Sequence, residues 1–557
     1  LDSSAASLKI GTAKGPGEKP HEFLFITPDE GGYCKIGEFV YYILENLEGQ
    51  RTVLGRIVQR APVRLFPDSF MASPEVRPQE VAAAIGYAYD QSELFEITVA
   101  VMGYFDPSLG SFVNPRTLPR SGGPIYLTPS DMLAEVLSKR KLEEVGSAHV
   151  GSLLSRRRGE VPVILDVNEL ASTHLSIIAG TGSGKSYLAG VAIEELMKPY
   201  NKGCVLVVDP HGEYDTLMDM QNDEQFVQGQ YRPRVRVYKP NQVKVRMSTL
   251  TVDDLRYLMP TLGERMEAIL TDAFNRMKRA RRDQYEDHWT LTDLYNSIDE
   301  VGQEKFDQGI DYGSSIQGLR WRLQRRFEHN ETFHPTQHLD LNQLFRPGQC
   351  TVLQLNEVDQ QDQQVVVATL LRRLLHARMD TERGKWAEGD EAYLPYPVFV
   401  LVEEAHHFAP ASADVISSGV LKQILSEGRK FGVGVGLVSQ RPGKLDSDVL
   451  SQCMTHFIMR IVNPIDQNSI ASAVESVGRD LLDELPALTK GQVVIAGSAL
   501  NTPVISQTRS RHTRHGGVSV DAVHEWESFF RGEDERQRDS GVVEFRAGRN
   551  KVFRTEN

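Results

Sequence analysis

A mostly parallel α/β sheet with helices on both faces, preceded by a small all-β unit and interrupted by a run of helices, is the architecture this chain predicts. Three observations carry it. The segment Ser176-Ile-Ile-Ala-Gly-Thr-Gly-Ser-Gly-Lys-Ser186 reads as a short apolar strand, a glycine-rich turn and the start of a helix. The runs Leu175–Ile178, Val205–Val208, Thr351–Leu355, Val398–Val402 and Val433–Val438 are short, apolar or β-branched, and separated in several places by helical patterns. Strands buried on both faces of a parallel sheet have this continuous apolar character. The first part of the chain differs, with short alternating runs set apart by Gly, Pro, Asp and Asn.

Those early runs are Glu22–Thr27, Gly37–Leu44, Val53–Val58 and Leu94–Met102, and they predict a small β-barrel or sandwich. Thr128-Pro-Ser-Asp then opens an apolar pattern at helical spacing up to Leu137, a linking helix. Strand–helix alternation starts near residue 160. From 251 to 335 helix follows helix, with Leu255, Met259, Met266, Ile269, Leu270 and Phe274 as core-facing positions. The expected division is 1–145 for the β unit and linking helix, 146–250 and 336–513 for the α/β core, 251–335 for a helical insertion, and 514–557 for a polar tail. In that tail Gly532–Asp539 reads as flexible.

A chain of 557 residues exceeds one ordinary domain, and 40% hydrophobic with 25% charged residues is a globular composition. The net charge of −13 argues against a surface that coats nucleic acid, but leaves room for a local basic strip. Cys34, Cys204, Cys350 and Cys453 lie far apart, which points to neither a zinc site nor a disulfide framework. Cys204 and Cys350 border apolar runs as small buried side chains. No apolar run approaches the ~20 residues that cross a bilayer. The opening Leu1-Asp-Ser-Ser-Ala-Ala-Ser lacks the character of a secretory signal. A soluble cytoplasmic protein is the expectation.

The glycine-rich turn has the composition of a phosphate-binding loop. Gly180, Thr181, Gly182, Ser183 and Gly184 let the backbone wrap round a polyphosphate, with loop amides and the helix N-terminus facing its oxygens. Lys185 is expected to reach the β- and γ-phosphates, and the Ser186 hydroxyl to be a ligand for Mg²⁺. Ala179 stands where the strict pattern has glycine. The following helix, Tyr187–Met197, carries Leu188, Val191, Ala192 and Leu196 on one face and is expected to be amphipathic.

A second element completes the site. Pro397-Val-Phe-Val-Leu-Val402 ends in Glu403 and Glu404, at the carboxyl end of a strand where ligand chemistry gathers. Glu403 is assigned to the Mg²⁺ shell, and Glu404 to orienting and deprotonating the attacking water. The strand Val433–Val438 leads to Ser439 and Gln440, a candidate sensor of the γ-phosphate or the water. Arg429, beside Lys430, and Arg441 are candidates for an arginine supplied by a neighbouring subunit. Asp209 and Glu213 are placed to touch Mg²⁺ or water, with Gly212 allowing a tight turn. His211, His406 and His407 have no metal-ligand spacing.

Two basic clusters fall in the insertion, Lys278-Arg279-Ala-Arg281-Arg282 and Arg320-Trp-Arg322-Leu-Gln-Arg325-Arg326. Helices of this kind track nucleic-acid backbone, and equally serve as solvated faces or subunit contacts. Trp321 and Phe327 are expected in the core.

Ala179–Ser186, Asp209-Pro-His-Gly-Glu-Tyr214, Val400-Leu-Val-Glu-Glu-Ala-His-His-Phe408, Glu427-Gly-Arg-Lys-Phe-Gly432, Ser439-Gln-Arg-Pro442 and His515-Gly-Gly517 together resemble the HerA family. HerA proteins are hexameric DNA-translocating ATPases related to FtsK, and bacterial HerA-like ATPases belong with them. The resemblance spans about 20 to 516. It implies a RecA-like P-loop NTPase motor with an N-terminal small β-barrel and a helical insertion. It also implies a homohexamer, with double-stranded DNA in the pore and ATP and Mg²⁺ between subunits. Arg429 becomes the candidate finger from the neighbour. The family works with a separate effector: the NurA nuclease in DNA end resection, or another nuclease or a sirtuin-like NAD-hydrolysing protein in phage defence. The resemblance thus implies a translocase or helicase; the alternative is a scaffold ring that activates its effector with little translocation. No nuclease or NAD-hydrolase motif lies in this chain.

Overall fold

The computed structural model describes residues 8–46, 49–63, 94–283, 288–516 and 522–530. The chain divides into two compact units, Leu1–Arg514 and His515–Asn557. The described part of the second is a helix, Ala522–Phe530. The expected flexible stretch Gly532–Asp539 lies outside the described residues.

Among the described residues the first unit begins with seven strands: β1 (Lys9–Pro16), β2 (Glu22–Thr27), β3 (Phe39–Asn46), β4 (Gly49–Pro62), β5 (Phe95–Asp106), β6 (Ser111–Val113) and β7 (Pro124–Leu127). They run in the order β2-β1-β7-β3-β4-β5-β6, and a further pairing of β2 with β5 closes six of them into a barrel. Closure removes the edges that an open sheet would expose. Alternate residues fill its interior: Phe23 and Phe25 from β2, Val40 and Tyr42 from β3, Ile97 and Val99 from β5. The helix Ser130–Leu137 follows, buried through Leu133, Val136 and Leu137.

A sheet of eleven strands forms the rest of the framework: β8 (Ser147–Leu153), β9 (Pro162–Asp166), β10 (Leu175–Ile178), β11 (Cys204–Asp209), β12 (Arg234–Tyr238), β15 (Gln349–Gln354), β16 (Val398–Val402), β17 (Val433–Ser439), β18 (Thr455–Ile458), β19 (Gln492–Gly497) and β20 (Val504–Thr508). Two short strands, β13 (Val245–Arg246) and β14 (Phe333–His334), pair apart from it. The order is β12-β15-β11-β16-β17-β10-β18-β19-β20-β8-β9. From β12 to β18 every neighbour is parallel. From β18 to β9 every pairing is antiparallel. The parallel expectation therefore holds for the half that carries the acids and the glycine-rich turn. Gly434 shows why β17 contains glycine: a Cβ there would lie 1.7 Å from the Ala171 carbonyl oxygen, so the helix Val167–Ser172 presses directly on the strand.

Three expectations need correction. The helix after the glycine turn, Lys185–Leu196, is buried all round rather than amphipathic. The sheet covers one side, and residues 509–513 cover another. Arg509 donates to Glu194 at 2.9 Å and Glu195 at 2.7 Å, and the Thr513 amide reaches Glu194 at 2.8 Å, so both buried carboxylates are satisfied. The stretch 251–335 is helical as Val252–Leu258, Glu264–Asp283, Leu291–Asp307 and Gly313–Phe327, but it ends in β14. That strand pairs with β13 and draws the two ends of the insertion together. Its core contains Leu255, Met259, Ile269, Leu270, Phe274 and Phe327, with Met266 partly buried against them. Trp321, expected inside, is 55% exposed.

Candidate active site

Strand register assembles the site. Ile178, the last residue of β10, lies level with Ser439 at the end of β17, and Val402 of β16 lies level with Leu437. Counting forward, Glu404 arrives beside Ser439 and Gln440 at the carboxyl edge where the glycine loop departs. The sheet order changes direction at β10, with β17 on one side and β18 on the other, so a crevice opens there.

The loop leaves β10 with its first amides engaged: Ala179 N–H donates to Ser439 O at 3.2 Å and Gly180 N–H to Arg460 O at 2.9 Å. Ala179 is fully buried and is not among the left-handed residues, so its methyl group replaces the expected glycine without strain. Gly182 and Gly184 do adopt left-handed backbone, with φ of 79° and 104°. Gly184 is the N-cap of the helix that starts at Lys185. The first-turn amides of that helix have no intrahelical acceptor and carry the positive end of its dipole.

Lys185 is 6% exposed and lies between the two acids, ion-paired with Glu403 and 2.8 Å from Glu404 Oε1. Burial alone pulls its ammonium pKa down. The two carboxylates outweigh that effect, and the net shift is upward. Burial likewise opposes charge on Glu404, but Lys185 prevails and keeps this carboxyl below its ordinary value. Ser186 Oγ is 3.5 Å from Glu403 Oε1.

Glu404 has φ of 51°, a left-handed conformation unusual for a residue with a side chain. The turn aims its carboxylate back across the sheet edge. Gln440 Nε2 donates to Glu404 Oε1 at 2.6 Å, while Gln440 Oε1 accepts from Thr181 Oγ1 at 3.2 Å. The other oxygen, Glu404 Oε2, is buried without a hydrogen bond among the described residues, 3.2 Å from His406 Nδ1. Burial first, then His407, holds the His406 imidazole down to about 4, so it is neutral near pH 7. Ser439 Oγ, 3.2 Å from the same nitrogen, is its hydrogen-bond partner.

Asp209 does not face the crevice as a free ligand. Its carboxylate accepts the amides of Gly212 at 2.6 Å, Glu213 at 3.1 Å and Tyr214 at 3.1 Å. Burial is the larger influence and pushes its carboxyl up to about 6 against those bonds. The loop it folds delivers Tyr214, fully buried, whose hydroxyl donates to Glu403 Oε2 at 2.7 Å. Tyr214 and His406 are site residues that motif reading passed over. Tyr214 ends the segment Asp209–Tyr214, and His406 follows the acid pair by two positions, but neither spacing reveals a contact. Arg441 is exposed, and its amide donates to Ser439 Oγ at 3.1 Å. Arg429 is also exposed, but it precedes β17 and stands at the opposite end of the strand from Gln440. Lys185, Ser186, Glu403, Glu404, Gln440 and Thr181 are thus brought together; Arg429 is not.

Among the described residues no cluster of three metal-binding His, Cys, Asp or Glu side chains occurs. No described helix is long and apolar enough to cross a membrane.

The family described as "Helicase HerA, central domain" matches residues 148–374. A DNA double-strand break repair helicase HerA of Pyrococcus furiosus is 28% identical over 487 residues, covering 79% of this chain and 84% of that protein. A probable helicase of Methanocaldococcus jannaschii is 30% identical over 429 residues, covering 76% and 77%. Among solved structures, VirB4 of Thermoanaerobacter pseudethanolicus is similar with a TM-score of 0.46 and 13% identity, covering 66% of this chain and 98% of that one.

Proposed function

The chain belongs to the HerA family, and we propose that it is an ATP-driven translocase of double-stranded DNA, working as a homohexameric ring with a separate effector protein in DNA end processing or phage defence. Its reaction is ATP hydrolysis. The observation that carries this reading is the convergence of Lys185, Glu403, Glu404 and Gln440 at the carboxyl ends of adjacent strands.

Lys185 and the two acids satisfy one another in the structure. A triphosphate seated against the loop amides from Gly182 to Ser186 offers Lys185 a stronger anionic partner. As Lys185 turns to the phosphates, Glu404 loses its cation while Gln440 still holds Oε1. The unbonded Oε2 is then the acceptor for a proton from the attacking water. Neutral His406 adds no charge beside it. Ser186 Oγ and Glu403 form an all-oxygen donor pair of the kind Mg²⁺ takes, and Tyr214 fixes the far oxygen of Glu403. Bound there, the ion would neutralise charge on the phosphate oxygens.

The ring reading is supported by Arg429. Seven residues of β17, about 23 Å at ~3.3 Å each, separate it from its own phosphate loop. A cation at that distance is out of reach of its own phosphate loop, as an arginine that completes a neighbour's site would be.

A second reading, a scaffold ring that activates its effector with slow turnover, is favoured by an open groove on the barrel. It measures about 770 Å³ and is lined by Tyr42, Arg51, Tyr104 and Tyr126 among others. The deciding measurement is ATP hydrolysis titrated with linear duplex DNA, with and without the co-expressed effector. Stimulation by DNA alone supports the motor. Stimulation only with the effector supports the scaffold. No hydrolysis under any of these conditions overturns both.

A further inference from the structure

The helix Gly313–Phe327 buries Leu319, Leu323 and Phe327 and turns a different face outward. That face carries Trp321, Arg322, Arg325 and Arg326, spaced so that 321/325 and 322/326 are one-turn neighbours. Together with Met259 and Pro260 from the loop opposite, they line a groove of about 350 Å³ that contains no acidic residue. Trp321 is 55% exposed, and the Arg325 guanidinium lies 5.3 Å from its ring centre.

Arg322 and Arg325 differ from several other arginines of the insertion. Arg276 is paired with Asp272 and Glu304, Arg281 with Asp293, and Arg320 with Asp299. No described carboxylate pairs with Arg322 or Arg325; Arg322 donates to the Gly318 carbonyl at 3.1 Å. Arg326 is anchored from behind by Asp362, which Asn330 also holds at 2.7 Å. In a chain of net charge −13, this is a concave, cationic surface with an exposed indole.

We infer that this groove is a binding site for single-stranded nucleic acid, separate from the nucleotide site: Trp321 stacks on an unpaired base, and Arg322 and Arg325 hold the flanking phosphates. The indole decides between single strand and duplex, because a duplex hides its base faces while a single strand offers them. Stacking is tolerant of sequence, so the site grips strands without reading them. An acidic peptide would satisfy the arginines but leave the indole without a planar partner.

The test uses the full chain and a fluorescein-labelled dT20, followed by anisotropy without nucleotide. Trp321→Ala is expected to weaken dT20 binding about tenfold, and Trp321→Phe to recover most of it. Arg322→Ala with Arg325→Ala is expected to lower the salt slope of binding by about 1.4, at ~0.7 per phosphate contact. Affinity for a 20-base-pair duplex and hydrolysis of ATP without DNA should be unchanged in every variant. Wild-type dT20 affinity in both Trp321→Ala and the double variant overturns the proposal. So does displacement by polyglutamate that is indifferent to Trp321→Ala, which marks an acidic-protein surface. A change in oligomer size with dT20 binding intact also overturns it, marking a subunit contact. None of these failures touches the duplex-stimulated ATPase test.

Discussion

The Tyr214 hydroxyl donates to Glu403 Oε2 at 2.7 Å, joining the loop after β11 to the acid at the end of β16. Asp209 folds that loop, so three backbone amides and one phenol act in series to set the direction of a carboxylate that also contacts Lys185 and Ser186. Tyr214→Phe removes the bond and keeps the ring. Turnover is expected to fall roughly tenfold, the scale of one hydrogen bond to a charged group, with KM for ATP unchanged. Steady-state kinetics check it; an unaltered kcat would reduce Tyr214 to packing.

Glu404→Gln keeps an oxygen to accept from Gln440 but removes the carboxylate proposed as the base. Turnover is expected to drop by about 10² to 10⁴. Nucleotide affinity should stay equal or tighten, because Lys185 is then held by one carboxylate instead of two. Titration with a fluorescent ATP analogue reads this, and weaker binding would contradict the exchange of partners at Lys185.

Arg429 and Arg441 stand at opposite ends of β17, so their losses should behave differently. Arg429→Ala is expected to impair turnover and spare nucleotide binding. Mixing it with Lys185→Ala chains should regenerate some activity, because certain interfaces then combine an intact loop with an intact arginine. A mixture as inactive as its parts would place the role of Arg429 within its own chain.

Two buried histidines predict a fall in stability on the acid side. Burial holds His456 and His174 at about 4, against 6.5 when unfolded. The unfolded chain therefore binds more protons between these values; the stabilisation is complete above pH 6.5 and is lost as pH falls toward 4. Each accounts for about 2 kcal/mol between pH 7 and 5. Asp209, raised to about 6, works in the opposite direction between 3.8 and 6. His456→Gln, which retains a polar partner for Ser176, isolates one contribution. Its melting temperature should fall less than that of the unaltered protein from pH 7 to 5; parallel curves would refute the assignment.

Several features were legible because their causes are local. A phosphate loop needs glycines, a lysine and a hydroxyl within a few residues, and an acid pair at the end of an apolar strand is contiguous. The β-rich beginning and the buried parallel strands declared themselves through residue alternation and apolar runs. Other features depend on residues far apart in the chain. That β17 lies between β10 and β16, so that Gln440 meets Glu404, follows from strand order and register. The burial of Lys185–Leu196 on all sides needed residues 509–513 laid over Glu194 and Glu195. Trp321 and Phe327 sit six residues apart on one helix, and the direction of packing alone sent the first to solvent and the second to the core. Spacing along the chain reports which groups are present; only the packing of distant segments sets which of them touch.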